Sequence, residues 1–203
     1  MNSPLRITLN ASPEQAQRLV ALQAAFAQVC NALAPLVQQN RLWHRVTLHH
    51  LAYRSLREQF PQMGSQMVCN AIYSVSRMAR LVFQHPASPF HLSRFQGKPL
   101  PALHFSDRCP VYFDRHTLSV KDGSLSMYTL DGRMRFLLSV SAQDERSFRE
   151  KKLREIVLSR RQDGQFELAF WFGDTQDEDA GKPAMARHDE GAIPEYVKVE
   201  TAA

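Results

Sequence analysis

The chain has 203 residues, a net charge of +5 and 44% hydrophobic side chains. That length accommodates one or two domains, and the apolar share supports a core and excludes disorder throughout. Three widely spaced cysteines, Cys30, Cys69 and Cys109, exclude a disulfide framework or a C-x-x-C zinc element and read as small buried hydrophobes in a reducing compartment.

The charge is unevenly spread. Residues 40–106 carry Arg41, Arg45, Arg54, Arg57, Arg77, Arg80, Arg94 and Lys98 against Glu58 alone, whereas residues 174–203 hold eight acids and three bases. A basic stretch followed by an acidic end points to a polyanionic partner for the former. The N-terminus lacks a charged-then-apolar signal pattern, and no apolar run reaches the ~20 residues of a membrane span. A cytoplasmic protein away from membranes is expected.

Leu5–Leu9, within residues 1–10, predicts a lone first strand. Ser12, Pro13 and Gln15 read as a helix start: a cap, a residue suited to the first turn, and a capping box. Leu19, Leu22, Phe26, Val29, Leu33 and Leu36 then form an apolar stripe at helical spacing, which Pro35 is expected to kink or end. A second helix follows Thr47, with Leu48, Leu51, Ala52 and Leu56 inward and Phe60 closing it. Ser65 is expected to cap a third, whose stripe runs from Met67 to Val82. Together residues 11–84 predict a small helical bundle.

Residues 85–101 hold four prolines and a glycine, and read as a linker. Beyond it come short alternating runs at Val111–Phe113, Thr117–Val120, Ser124–Thr129, Arg133–Val140, Ile156–Arg161 and Phe166–Phe172. Asp122-Gly123, Asp131-Gly132 and Asp163-Gly164 punctuate them as turns, Asp131-Gly132 by supplying positive φ. Residues 102–173 therefore predict an antiparallel β-barrel, interrupted at 144–155 by a charged loop or short helix. Residues 174–203 are expected to be an acidic, flexible tail. The fold class is α+β, with a helical bundle inserted after a first strand and followed by a barrel.

No catalytic or metal-binding set is read. His49 and His50 are adjacent on a helix and so do not share a face, and Asp174, Asp177, Glu178 and Asp179 lie on a segment without strand pattern. No cofactor is expected. Nucleic-acid contacts are better supported. His50, Arg54 and Arg57 recur on the polar side of the second helix, with Tyr53 nearby, and Asn70, Tyr73, Arg77 and Arg80 form a comparable line on the third. Arg94 and Lys98 add charge in the linker. In the hairpin, Arg133 and Arg135 are two apart and point to one face, with Tyr128 nearby. Arginines neutralise phosphate, while tyrosine and asparagine stack or hydrogen-bond.

The stretches "LQAAFAQVCNALAPL", "LHHLAYRSLREQFPQMGSQMVCNAIYSVSRMAR", "FSDRCPVYFDRHTLSV" and "LSMYTLDGRMRF" resemble, in their order and spacing, the N-terminal half of transposon-encoded TnpB proteins. Those are compact RNA-guided nucleases related to type V CRISPR effectors. The resemblance covers residues 5–173 and implies a recognition-lobe role for the helices and a wedge-type role for the barrel. It further implies a guide-type RNA and target DNA as partners, with sequence reading delegated to base pairing. Nothing after Phe172 resembles the RuvC-like nuclease domain of that family, so binding without cleavage by this chain is expected. Two alternatives stay open: one half of a split nuclease whose RuvC domain is a separate chain, and a repurposed protein-interaction module.

Overall fold

Ser12 and Gln15 close the expected capping box: Gln15 N–H donates to Ser12 Oγ (3.2 Å) and Ser12 N–H to Gln15 Oε1 (3.0 Å). It starts α1 (Pro13–Asn40), the longest element in the computed structural model, which describes residues 4–173 and 192–201. Pro35 neither ends nor interrupts this helix. Its ring lies on an exposed position, where the lost bond to the Asn31 carbonyl is tolerated. By length and average composition α1 is apolar enough to cross a membrane, although Gln23, Gln28 and Asn31 interrupt its apolar run. Just over half of its most apolar window is nevertheless buried in the protein.

The chain divides into two units, one of residues 1–22 and 110–185 and the other of residues 23–109 and 186–203. Helix α1 contributes to both.

In the first unit, β1 (Leu5–Thr8), β3 (Val111–Phe113), β7 (Lys152–Arg160) and β8 (Phe166–Gly173) form an antiparallel sheet of order β1-β8-β7-β3. Here β2 (Ala102–Phe105) belongs to the second unit. A bulge at Arg154 shifts the β7–β8 register. Buried Ile156, Leu158, Leu168 and Phe170 line one face of this sheet. A separate meander comprises β4 (Leu118–Lys121), β5 (Ser124–Thr129) and β6 (Gly132–Leu137). Among the described residues no sheet closes into a barrel, which corrects the expected architecture. The reason lies in pairing: β1 and β3 end one sheet, β4 and β6 end the other, and no ladder joins them.

Turn chemistry follows the sequence in part. Asp122 and Gly123 both take positive φ (49° and 70°), as a tight two-residue hairpin requires. At the β5–β6 turn the loop is Leu130–Asp131, and only Gly132 is left-handed (φ 96°), so Asp131 does not supply the expected positive φ. The charged insertion forms α4 (Ala142–Glu150), started by a capping box between Ser141 and Asp144. Phe148 fixes it by edge-to-face contact with Phe170 (4.9 Å) and Phe172 (5.3 Å).

The second unit packs α1 from Gln23 onward with α2 (Arg45–Gln59) and α3 (Ser65–Gln84). Phe26, Val29, Leu33 and Val37 of α1, Leu48, Ala52 and Leu56 of α2, and Val68, Ile72, Val75 and Val82 of α3 are buried. Leu51, expected inward, is 49% exposed, because the α2 stripe is the narrow i, i+4, i+8 row of Leu48, Ala52 and Leu56. Ser65 is the first residue of α3, not its cap; Gly64 holds that place and offers no side-chain bond.

Residues 85–101 are held within this unit rather than linking two domains. They contain a short 3-10 turn (Leu92–Phe95) and then run antiparallel to α1. Polar side chains spaced along α1 hydrogen-bond the passing backbone. The Arg41 guanidinium donates to the Phe95 and Lys98 carbonyls, Gln38 Nε2 to the Leu100 carbonyl (2.7 Å), and Gln23 Nε2 to the Arg108 carbonyl (3.1 Å). Asn31 pairs with Phe105 in both directions, its Nδ2 donating to the carbonyl (2.8 Å) and its Oδ1 accepting from the N–H (2.7 Å). Positions 23, 31, 38 and 41 share one side of the helix, so these bonds form a row.

The expected flexible tail is corrected at its end. Val197–Glu200 forms β9, antiparallel to β2, with Val197 buried beside Phe105 in the register. Alternating valines let it cover an edge that β2 would otherwise leave unpaired. The acidic residues of segment 174–191 lie outside the described residues.

Candidate nucleic-acid interface

Alternation along the meander separates two chemistries. Leu125, Met127 and Thr129 of β5 and Met134 and Phe136 of β6 are buried. The opposite face carries Ser124, Ser126 and Tyr128 on β5, and Arg133, Arg135 and Leu137 on β6. Register places Tyr128 opposite Arg133, Ser126 opposite Arg135 and Ser124 opposite Leu137. On the other side, Ser119 faces Ser126 and Lys121 faces Ser124. The outer face is thus three cations, three serines, a tyrosine and a leucine, with no carboxylate among them.

Arg133 is oriented by its neighbours. Its Nε donates to Ser126 Oγ (2.9 Å), Nη2 to the Ser126 carbonyl (2.9 Å) and Nη1 to the His116 carbonyl (3.4 Å). The guanidinium therefore lies across β5, on the same face as Tyr128. Arg135 is exposed, and its side chain has no hydrogen-bond or ion-pair partner among the described residues. The acids nearest in sequence, Asp122 and Asp131, sit in the turns at opposite ends of β5, and Asp131 pairs with Arg18 (3.8 Å).

The helical candidates divide more sharply. On α2, His50 and Arg54 are exposed one turn apart; Arg54 forms an ion pair with Glu58 (3.5 Å) at 94% side-chain exposure, which leaves it available. Tyr53 stacks on His49 (4.6 Å between centroids), and His50 meets His49 edge-on (5.9 Å). Arg57 instead bends back to the Met63 carbonyl and secures the α2–α3 loop. On α3, Asn70 is 7% exposed with Nδ2 against Met67 Sδ (3.9 Å), so it belongs to the core and not to a binding face. Tyr73 lies under the Arg45 guanidinium (5.2 Å), and Tyr73, Arg77 and Arg80 are half-buried. Arg94 and Lys98 are exposed on the segment that Arg41 anchors.

Neither protein-family models nor curated proteins match the chain. Its candidate chemistry rests on the surfaces themselves. Among the described residues no group of three or more His, Cys, Asp or Glu side chains is placed to hold a metal ion.

Sequence reasoning missed Lys121 and the three serines of the meander face. Their signal was present: in "LSVKDGSLSMYT" the polar residues recur at alternate positions on both sides of the turn. It went unread because serine carries no charge, and only the paired register shows that the rows align.

Proposed function

We propose that this chain is a nucleic-acid-binding protein of TnpB-like type, which holds a guide-type RNA and contributes to recognition of target DNA without cutting it. In this reading the sheets of the first unit stand where that family has its wedge-type barrel, and the helices stand for its recognition lobe. A nuclease function would be supplied by a separate subunit.

One observation carries the reading: an acid-free sheet face on which Lys121, Arg133 and Arg135 surround a row of serine hydroxyls. Cations and hydroxyls together satisfy phosphate oxygens, and Tyr128 offers a ring on which a base can stack. Positive charge on one face with no compensating acid costs stability through self-repulsion, so it favours a polyanionic occupant.

The test is fluorescence anisotropy of a mixed-sequence single-stranded RNA against the purified chain, over a series of salt concentrations. Binding that weakens linearly in log salt supports the proposal; absence of binding at 50 mM salt overturns it. Sequencing of nucleic acid that co-purifies from native cells then separates a guide-type RNA, structured with a variable end, from unspecific retention.

The protein-interaction reading has its own observation. Leu137 is 89% exposed at one end of the same face. It becomes the better account if RNA fails to bind.

A further inference from the structure

A single exposed leucine is ordinary on a protein surface, but the line in which Leu137 stands is not. Along β6, Arg133, Arg135 and Leu137 share the outer face at alternate positions, about 7 Å from one to the next. That step suits successive units of an extended nucleic-acid strand. Leu137 is 89% exposed, while Met134 and Phe136 are buried on the other side of the sheet. Its place is fixed, because Leu138 N–H donates to the Gly123 carbonyl (2.7 Å) and ties the end of β6 to the β4–β5 turn. As β6 is an edge strand, Leu137 stands at a corner of the meander with Ser124 as its cross-strand neighbour.

The two arginines in this line are prepared for phosphate in different ways. Arg133 gives three N–H groups to Ser126 Oγ and to the Ser126 and His116 carbonyls. A guanidinium has five, so Arg133 is held in place with donors still to offer. Arg135 is exposed, and its side chain has no partner among the described residues. Lys121 adds a further cation in the cross-strand row of Ser124 and Leu137.

We propose, resting on the nucleic-acid reading above, that this row takes an unpaired segment of RNA: successive phosphates lie on Arg133 and Arg135, and an unpaired base covers Leu137. Cations alone would hold any polyanion. Leucine contributes only when a base turns out to meet it, and in a duplex the bases face inward against their partners. The deep, narrow major groove of an RNA helix also keeps side chains from its base edges, whereas splayed bases of single strands settle on sheet faces. The serine hydroxyls between the cations can pair with 2′-hydroxyls, which favours RNA as the occupant.

The experiment measures fluorescence anisotropy of the full chain with a labelled single-stranded RNA and with the same strand annealed to its complement, and uses inorganic polyphosphate as a competitor. The native chain should bind the single strand more tightly than the duplex. Leu137→Ser should weaken single-strand binding roughly four- to fifteen-fold, the worth of one or two methylene groups returned to water. The slope of log affinity against log salt should not change, since no charge is removed. Polyphosphate has no bases, so it should compete equally well on the native chain and the variant. Leu137→Phe should hold the single strand at least as tightly, because a ring stacks on a base. Leu137 packs against almost nothing, so an unchanged Tm shows that both variants are folded. Equal affinity for single strand and duplex, or native affinity in Leu137→Ser, overturns the proposal while the nucleic-acid reading stands. A matching loss toward polyphosphate overturns it as well, since the substitution would then have disturbed the cations. No RNA bound at low salt overturns both.

Discussion

Asn31 and Phe105 are joined twice, side-chain amide to backbone carbonyl at 2.8 Å and backbone N–H to side-chain carbonyl at 2.7 Å. Phe105 is buried, so neither of its backbone groups has water as a ready substitute. Asn31→Ala is expected to cost about 1–3 kcal/mol, the range for orphaning a buried polar group. Urea unfolding reads this as a lower midpoint at unchanged slope. Asn31→Asp should not restore stability, since a carboxylate cannot donate to the Phe105 carbonyl. Native-like stability in either variant would remove the row of α1 side chains as the element that seats this segment.

The meander arginines and the helical arginines are separable by salt. Each cation that neutralises a phosphate of a single strand contributes roughly 0.7 to the slope of log affinity against log salt. Arg133→Ala with Arg135→Ala is expected to flatten that slope by about 1.4 while leaving Tm nearly unchanged. Arg54→Ala and Arg80→Ala test the helical faces in the same way. An unaltered slope in the first pair would remove the sheet face from the interface.

Arg57 belongs to a different class. Its bond to the Met63 carbonyl predicts that Arg57→Ala loses about 1 kcal/mol of stability. The salt slope should not change. Thermal and salt titrations on one preparation distinguish the two effects, and a changed slope with unchanged Tm would return Arg57 to the binding surface.

Leu137→Glu places an acid in the row of Lys121 and Ser124 at a site that packs against almost nothing. Weaker RNA binding at preserved Tm is expected. If affinity holds, the phosphate path does not cross that end of the sheet.

Acid titration bears on β9. Lys198 and Glu200 form an exposed ion pair at 2.6 Å, and hydrogen bonding to the ammonium, followed by its charge, lowers the Glu200 carboxyl. A depressed carboxyl stabilises above its unfolded value near 4.5 and loses that contribution as pH falls through the lower folded value. Protection factors across β2 and β9, referred to the intrinsic exchange rate at each pH, should therefore fall slightly in acid, and Glu200→Gln should blunt the change. A pH response identical in Glu200→Gln would assign it to other carboxylates.

What could be read from sequence was mostly local. Ser12 and Gln15, the alternation in Ser124–Thr129, and the Asp122-Gly123 turn each state their structure within a few residues. What escaped was decided by partners far along the chain. Four residues at Val197–Glu200 have no meaning as a strand until β2 is beside them. Asn70 carries a polar name on a helix that turns it toward Met67. The proline-rich segment looked like a linker because its bonds go to Gln38 and Arg41, partners so far back in the chain that no local pattern points to them. For the candidate site, the arginine pair was visible, while the serine row between the cations required the register of three strands. Barrel closure was inferred from strand spacing, which says nothing about whether the two edges meet.

The pairing of β1 with β8 and of β2 with β9 has a consequence for how the protein is made. Leu5 leaves the ribosome some 160 residues before its partner Phe170, a delay of roughly 10–30 s at ordinary rates of synthesis. Ala102 likewise waits for Glu200. Neither sheet can close until its distant strand has been made, so the nascent chain carries two unpaired strand edges in the interval. Slow, non-local closure of this kind makes yield depend on whatever shelters those edges in the interval, including a ligand that binds as the chain emerges.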